Sequence, residues 1–146
     1  MIQLEVLTSD DQLALGVYEF NFNYIHIGRS KRNDIIISNK ELPALFLKIS
    51  IFEDAHGEHL MVRNRNREPF YQINGKKISG SLKIKTNDII SFGPTSLKII
   101  SFQKTPNGLD LTEPFKAFEA NAPECRVALD FIEEVLMDLE KQTQNV

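Results

Sequence analysis

The chain has 146 residues, with 17 Lys/Arg against 20 Asp/Glu and a sequence pI near 5.6, a length that suits one domain with a single hydrophobic core and an appendage. Its one cysteine, Cys125, excludes an internal disulfide framework, and no Cys/His spacing has the form of a zinc site, so a reducing cytoplasmic location is expected. The start, MIQLEVLTSDD, lacks the basic-then-apolar layout of a secretory signal. No apolar run approaches the roughly 20 residues needed to cross a bilayer, and no direct membrane contact is expected.

Charge is unevenly spread. Residues 1–120 carry 15 Lys/Arg against 14 Asp/Glu, whereas 121–146 carry 2 against 6, which marks the C-terminal piece as a separate acidic element. In the first part, cations crowd into Arg29-Ser30-Lys31-Arg32 and Arg63-Asn64-Arg65-Asn66-Arg67. If the fold brings these stretches together they form an anion-attracting face.

In chain order, Ile2, Leu4 and Val6 alternate with Gln3 and Glu5, the period of a half-buried strand, and the alternation lapses at Leu7 before Thr8-Ser9-Asp10-Asp11. Val17, Phe20, Phe22, Ile25 and Ile27 continue the apolar series. Further runs follow at Ile35–Ile37, Leu45–Phe52, His59–Val62, Phe70–Ile73, Leu82–Ile84, Ile89–Phe92 and Leu97–Phe102. Turn material such as Asp54-Ala55-His56-Gly57, Asn74-Gly75 and Gly93-Pro94-Thr95 divides them. Many short strands at this spacing predict an all-β sandwich or barrel. Thr105-Pro106-Asn107-Gly108 opens a linker, and Asn121-Ala122-Pro123-Glu124 supplies a capping-box-like helix start. The expected organisation is a β-domain over 1–104, a linker over 105–120 and an amphipathic helix over 121–146.

In that helix Cys125, Leu129, Ile132, Leu136 and Leu139 recur at alternating four- and three-residue steps, and Val127, Phe131 and Val135 form a second apolar row. Such a helix is marginal alone and must bury its apolar surface. It therefore docks on its own sandwich, self-associates, or couples to a following domain. The latter two are favoured, with Leu129, Phe131, Ile132, Val135, Leu136 and Leu139 as the interface and a homodimer as one outcome.

Residues 2–102 resemble the forkhead-associated (FHA) domain family. The resemblance rests on Ile27-Gly28-Arg29-Ser30, on Asn33-Asp34-Ile35-Ile36-Ile37, on Ile73-Asn74-Gly75-Lys76-Lys77-Ile78, and on Asn87-Asp88-Ile89-Ile90-Ser91-Phe92-Gly93, in that order and with near gap-free spacing. It implies an FHA-like β-sandwich of short, mostly antiparallel strands with a C-terminal α-helix, and a non-enzymatic protein-interaction module. It also implies a reader's site in the loops at one end. The family grips phosphothreonine with the Arg of Gly-Arg, a Ser and His spaced Ser-x-x-His, and an Asn that holds the peptide backbone.

Arg29 matches the first of these. The family Ser falls on Pro43, the His on Phe46 and the peptide-gripping Asn on Pro69. Proline has no hydroxyl and no N–H for a phosphate oxygen. Charge-assisted bonds to phosphate contribute roughly 1.5–3 kcal/mol each, so losing two or three removes a few orders of magnitude in affinity. Phosphopeptide binding is therefore not expected, and the partner is a protein or another domain of the parent chain. Degenerate relatives of this kind occur in bacterial secretion rings and in the front ends of signalling enzymes. Partner or anion contacts are assigned to Arg29, Ser30, Lys31, Arg32, Arg63, Asn64, Arg65, Asn66, Arg67 and Asn74. Arg29 is equally suited to bracing the loops. A phosphothreonine reader rebuilt around the arginines, and a small nucleic-acid-binding β-domain, are the alternatives.

Other chemistries find less support. No nucleophile elbow, phosphate-cradling loop or dinucleotide fingerprint is present, so neither an enzyme nor a cofactor is expected. Glu53-Asp54-Ala55-His56-Gly57-Glu58-His59 has the residue types of a metal site, yet its glycine marks a strand-to-strand turn and no metal is expected. His26 lies between Ile25 and Ile27 and should point away from the core. The acidic pI and acidic helix argue against nucleic acid.

Overall fold

Strict alternation at Ile2, Leu4 and Val6 builds the first strand, and the same period recurs over Tyr71–Ile73, Ile89–Phe92 and Thr95–Phe102 among the eleven strands of the described residues in the computed structural model, whereas Tyr24–Gly28 is buried at every position. The structure describes residues 1–64, 70–105, 131–132 and 135–139. The strands are β1 (Ile2–Thr8), β2 (Gly16–Phe20), β3 (Tyr24–Gly28), β4 (Ile35–Ile36), β5 (Leu47–Asp54), β6 (Gly57–Asn64), β7 (Tyr71–Ile73), β8 (Lys76–Ile78), β9 (Ser81–Ile84), β10 (Ile89–Phe92) and β11 (Thr95–Phe102). A short 3-10 helix, Gln12–Ala14, links β1 to β2, with Asp11 capping it through an acceptor bond from Leu13 N.

Six strands form one sheet in the order β2-β1-β11-β10-β7-β8, and five form the other in the order β4-β3-β5-β6-β9. All the described pairings are antiparallel except β3 with β4, where Ile27 faces Ile35 and Gly28 faces Ile36 in parallel register. The core between the sheets takes Ile2, Leu4 and Val6 from β1, Ile25 and Ile27 from β3, Leu47, Ile49 and Ile51 from β5, Leu60 and Val62 from β6, and Leu97 and Ile99 from β11. The two inner faces thus interleave branched side chains, the packing expected of a sandwich.

Strand direction gives the sandwich two distinct ends. β3, β6 and β10 run toward the loop end, which gathers the β1–β2, β3–β4, β4–β5, β6–β7, β8–β9 and β10–β11 connections. The β5–β6, β7–β8 and β9–β10 turns lie at the other end.

Two expectations need refinement here. His26 does lie off the core-facing side of β3, but it is buried, at 4 % exposure. Its ring packs edge-on against Tyr24 at 5.4 Å, and the Lys48 ammonium sits 5.0 Å from the same tyrosine ring. Outward-facing on a strand therefore does not mean solvated here. Arg63 and Asn64, expected on a loop, belong to β6, whose ladder to β5 continues through Asn64 opposite Leu47.

The chain divides into two units, Met1–Thr105 and Pro106–Val146. In the second, residues 131–132 and 135–139 are helical. Phe131, Ile132, Val135 and Leu139 are exposed, Leu136 is half-buried and Met137 is buried. Leu129, the linker beyond Thr105 and the helix start at Asn121 lie outside the described residues. No helix among the described residues is long and apolar enough to cross a membrane.

Candidate functional site

Gly28 ends β3 where the chain from β4 to β5 passes directly over it. A Cβ there would lie 2.3 Å from the Ala44 carbonyl oxygen, closer than any side chain can approach backbone. The absence of a side chain lets two loops close on each other, and their bonds then follow in series. Arg29 N donates to Pro43 O at 3.2 Å and Ser30 N to Ala44 O at 3.1 Å. Asn33, buried at 3 % exposure, sends its Nδ2 to Ser30 O (2.8 Å) and Ala44 O (2.7 Å). With both amide hydrogens on carbonyls, Asn33 Oδ1 is left buried without a hydrogen-bond partner.

The candidate binding residues on this end are largely engaged with the fold. The Arg29 side chain is exposed, but its Nε donates to Leu42 O at 3.0 Å, so part of the guanidinium fork braces the β4–β5 loop. Ser30 Oγ accepts from Arg32 N at 3.3 Å in a local turn. Lys31 and Arg32 are exposed. Arg63 is half-buried on the outer face of the five-stranded sheet, in register between Lys48 and Ser81.

Asn64 turns out to be a structural residue. It is buried, and its Oδ1 accepts from Gly80 N at 2.6 Å while its N–H donates to Gly80 O at 3.3 Å. The Tyr71 hydroxyl donates to the same carbonyl at 2.7 Å, and burial pushes that hydroxyl up to about 12. Asn64 and Tyr71 flank the segment holding Arg65, Asn66, Arg67 and Pro69, which lies outside the described residues. Both of its approaches are thus tied to one glycine of the β8–β9 turn.

Phe46, at the family histidine position, is a core residue at 2 % exposure and packs edge-to-face on Phe92 at 5.2 Å. Beside this end lies a cavity of about 40 Å³ lined by residues that include Asp11, Ile37, Asn39 and Pro94.

Asn74, assigned to the same surface from sequence, sits at the opposite end in the β7–β8 turn. There it is a brace: Oδ1 accepts from Ile89 N (2.9 Å) and Nδ2 donates to Asp88 Oδ1 (2.9 Å), at a φ of 52° that asparagine tolerates well. The acidic and histidine-bearing β5–β6 turn shares that end. Asp54 Oδ1 meets His59 Nε2 at 2.8 Å and accepts from His56 N at 2.7 Å. The His56 N–H, then the His59 ring, hold the Asp54 carboxyl below its usual value. Among the described residues no three His, Cys, Asp or Glu side chains are placed to hold a metal.

Solved structures with the same arrangement are FHA domains. The FHA domain of the CT664 protein from Chlamydia trachomatis superposes with a TM-score of 0.56 at 16 % identity, over 70 % of this chain and 98 % of its own. That of an Arabidopsis thaliana hypothetical protein gives 0.57 at 18 %, over 73 % and 90 %. The MEK1 FHA domain, solved in complex with a phosphothreonine peptide of HOP1, gives 0.53 at 16 %, over 70 % and 97 %. The chain has the FHA fold. No protein-family model matches the sequence, and no curated protein matches it. At these identities the FHA likeness establishes architecture, so the reading of the loop end rests on its own residues. The sequence singled out Arg29 and its neighbours but missed the bracing role of Asn33, Asn64 and Tyr71. Buried polar residues beside Gly28 and Gly80 were the signal available for it.

Proposed function

We propose that this chain is a non-enzymatic protein-interaction module whose contacts do not require a phosphate, in the cytoplasm and within a bacterial signalling or secretion assembly. The observation that carries the reading is Phe46. Where FHA relatives have an imidazole bracing the recognition loop, this chain has a phenyl ring sunk into the core against Phe92. Two more features support it. Pro43, at the phosphate-contacting serine position, presents only a carbonyl, and that carbonyl accepts from Arg29 N. The Arg29 Nε is itself committed to Leu42 O.

Lys31 and Arg32, exposed at the loop end, together with the arginine-rich stretch that the sequence carries at Arg65 and Arg67, suit the acidic surface of a folded partner. Exposed charges of this kind act over about 8 Å at physiological ionic strength, so the complex is salt-sensitive. The exposed apolar residues Phe131, Ile132, Val135 and Leu139 support coupling of the helix to a second copy or to a following domain.

The test is paired. Titrating the chain with a degenerate phosphothreonine peptide library to high micromolar concentration should give no binding. Pull-down from the native host should recover the same partner with and without phosphatase, and Arg65→Glu with Arg67→Glu should weaken that partner without lowering the melting temperature. Low-micromolar peptide binding that vanishes on dephosphorylation overturns the reading and establishes a reader rebuilt around the arginines.

A further inference from the structure

A β-sandwich with two open sheets has four edge strands, and unpaired edges invite pairing unless short, charged or bulged. Three edges here are blunted. β4 has two residues. β8 has three, two of them lysines, and the Lys77 ammonium folds over the Phe70 ring at 4.4 Å. β9 has four and presents Lys83. The fourth edge, β2, is five residues long, Gly-Val-Tyr-Glu-Phe, and contains neither lysine nor proline. Its pairing with β1 runs in unbroken register from Phe20 opposite Ile2 to Gly16 opposite Val6.

This edge also carries most of the exposed large apolar side chains of the sandwich's described residues. Leu13 is 92 % exposed and Val17 56 %, with Leu15 and Leu7 exposed beside them. Val17 pairs with Glu5 on the outward face of the two strands. Tyr18 and Phe20, on the other face, are half-buried and stacked at 6.3 Å. The Tyr18 hydroxyl donates to Ala14 O at 2.7 Å, tying the 3-10 helix with Leu13 to the edge. Glu19 is the strand's one charge.

We propose that β2 is a self-pairing edge: two copies of this chain join their β2 strands antiparallel about a two-fold axis at Tyr18, making one continuous sheet across the pair. The occupant follows from the strand's own sequence. Full five-residue overlap sets Gly16 of each copy opposite Phe20 of the other, so a ring covers the position that has no side chain. A two-fold contact is self-complementary, and this one pairs the same lysine-free and proline-free edge of each copy, with Val17 of one opposite Glu19 of the other. No opposite charge is required. A five-residue strand and a few side chains fall short of the roughly 800 Å² per partner of a standard interface, so the pairing is weak and concentration-dependent. This pairing is independent of the loop-end reading and of the helix.

Sedimentation equilibrium of the whole chain from about 10 to 500 μM tests it. The average mass should rise toward the dimer with concentration. Val17→Glu, at an exposed position, sets a carboxylate opposite Glu19 of the other copy and should raise the dissociation constant at least about tenfold in a chain that still melts cooperatively, whereas Val135→Lys with Leu139→Lys should leave it alone. A wild-type chain that stays monomeric throughout, or a dimer abolished only by the helix substitutions, overturns the proposal. A second measurement fixes the register in a Cys125→Ser background. Val17→Cys mixed with Glu19→Cys should form the mixed disulfide dimer several-fold faster than either forms its own. Equal rates overturn the axis at Tyr18.

Discussion

The two ends of the sandwich use the same device, an asparagine that ties two connections together, at different depths. At the turn end, the exposed Asn74 ties the β7–β8 turn to the β9–β10 turn, its amide matched by Ile89 N and by the Asp88 carboxylate. At the loop end, Asn33 and Asn64 are buried and knit separate loops together, and Asn33 retains an unmatched acceptor. An exposed turn can exchange its bonds for water at little cost, whereas a buried network cannot. The loop end, which in a reader must present donors to a ligand, instead spends several of them on itself.

The comparison breaks most visibly at Phe46. Phe46→Ala should cost about 3–5 kcal/mol, the range for removing a buried ring, read as a drop in the urea midpoint. A loss below about 1 kcal/mol would mean the phenyl ring is not part of the core.

A matched pair sharpens it. Asn64→Ala leaves Gly80 N buried without its acceptor and should cost about 1–3 kcal/mol. Asn74→Gly keeps the left-handed backbone and removes one exposed bond, from Ile89 N, and one part-buried bond, to Asp88, from a side chain that water reaches, so about 1 kcal/mol is expected. Equal losses in thermal or denaturant melts would erase the contrast between the ends.

An effect as small is expected at Tyr71. Its folded value near 12 exceeds the ordinary value of 10, so the folded state favours the neutral phenol. That contribution is intact below about pH 10 and is lost as pH rises toward about 12. Tyr71→Phe should cost about 1 kcal/mol at neutral pH through the bond to Gly80 and should make the alkaline decline in melting temperature shallower. An unchanged alkaline slope would show that other groups carry it.

Much of this architecture could be read from residue order. Alternation at Ile2, Leu4 and Val6 and the Asn74-Gly75 and Gly93 turns carry period and punctuation, which are local properties. Pro43 and Phe46 were legible as departures from a family pattern. The rest depends on contacts distant in sequence. Asn64 looks like one more polar residue in an arginine-rich run until Gly80 arrives beside it, and Asn74 looks like a loop-end residue until strand direction sends it to the far side. His26 has the alternation of a surface residue and is buried by Tyr24 and Lys48, neighbours that a single strand's pattern cannot show.

The pairing of β1 with β11 has a mechanical consequence. Gln103 N donates to Met1 O at 2.8 Å, and Ile2 faces Phe102, so both ends of the sandwich leave side by side, opposite the loop end. A pulling force applied at those two points loads the β1–β11 ladder one rung at a time, like a zipper, and not along its length as shear. The sandwich should therefore yield at low force when drawn by its ends, while a push on its loops is transmitted through the whole interleaved core.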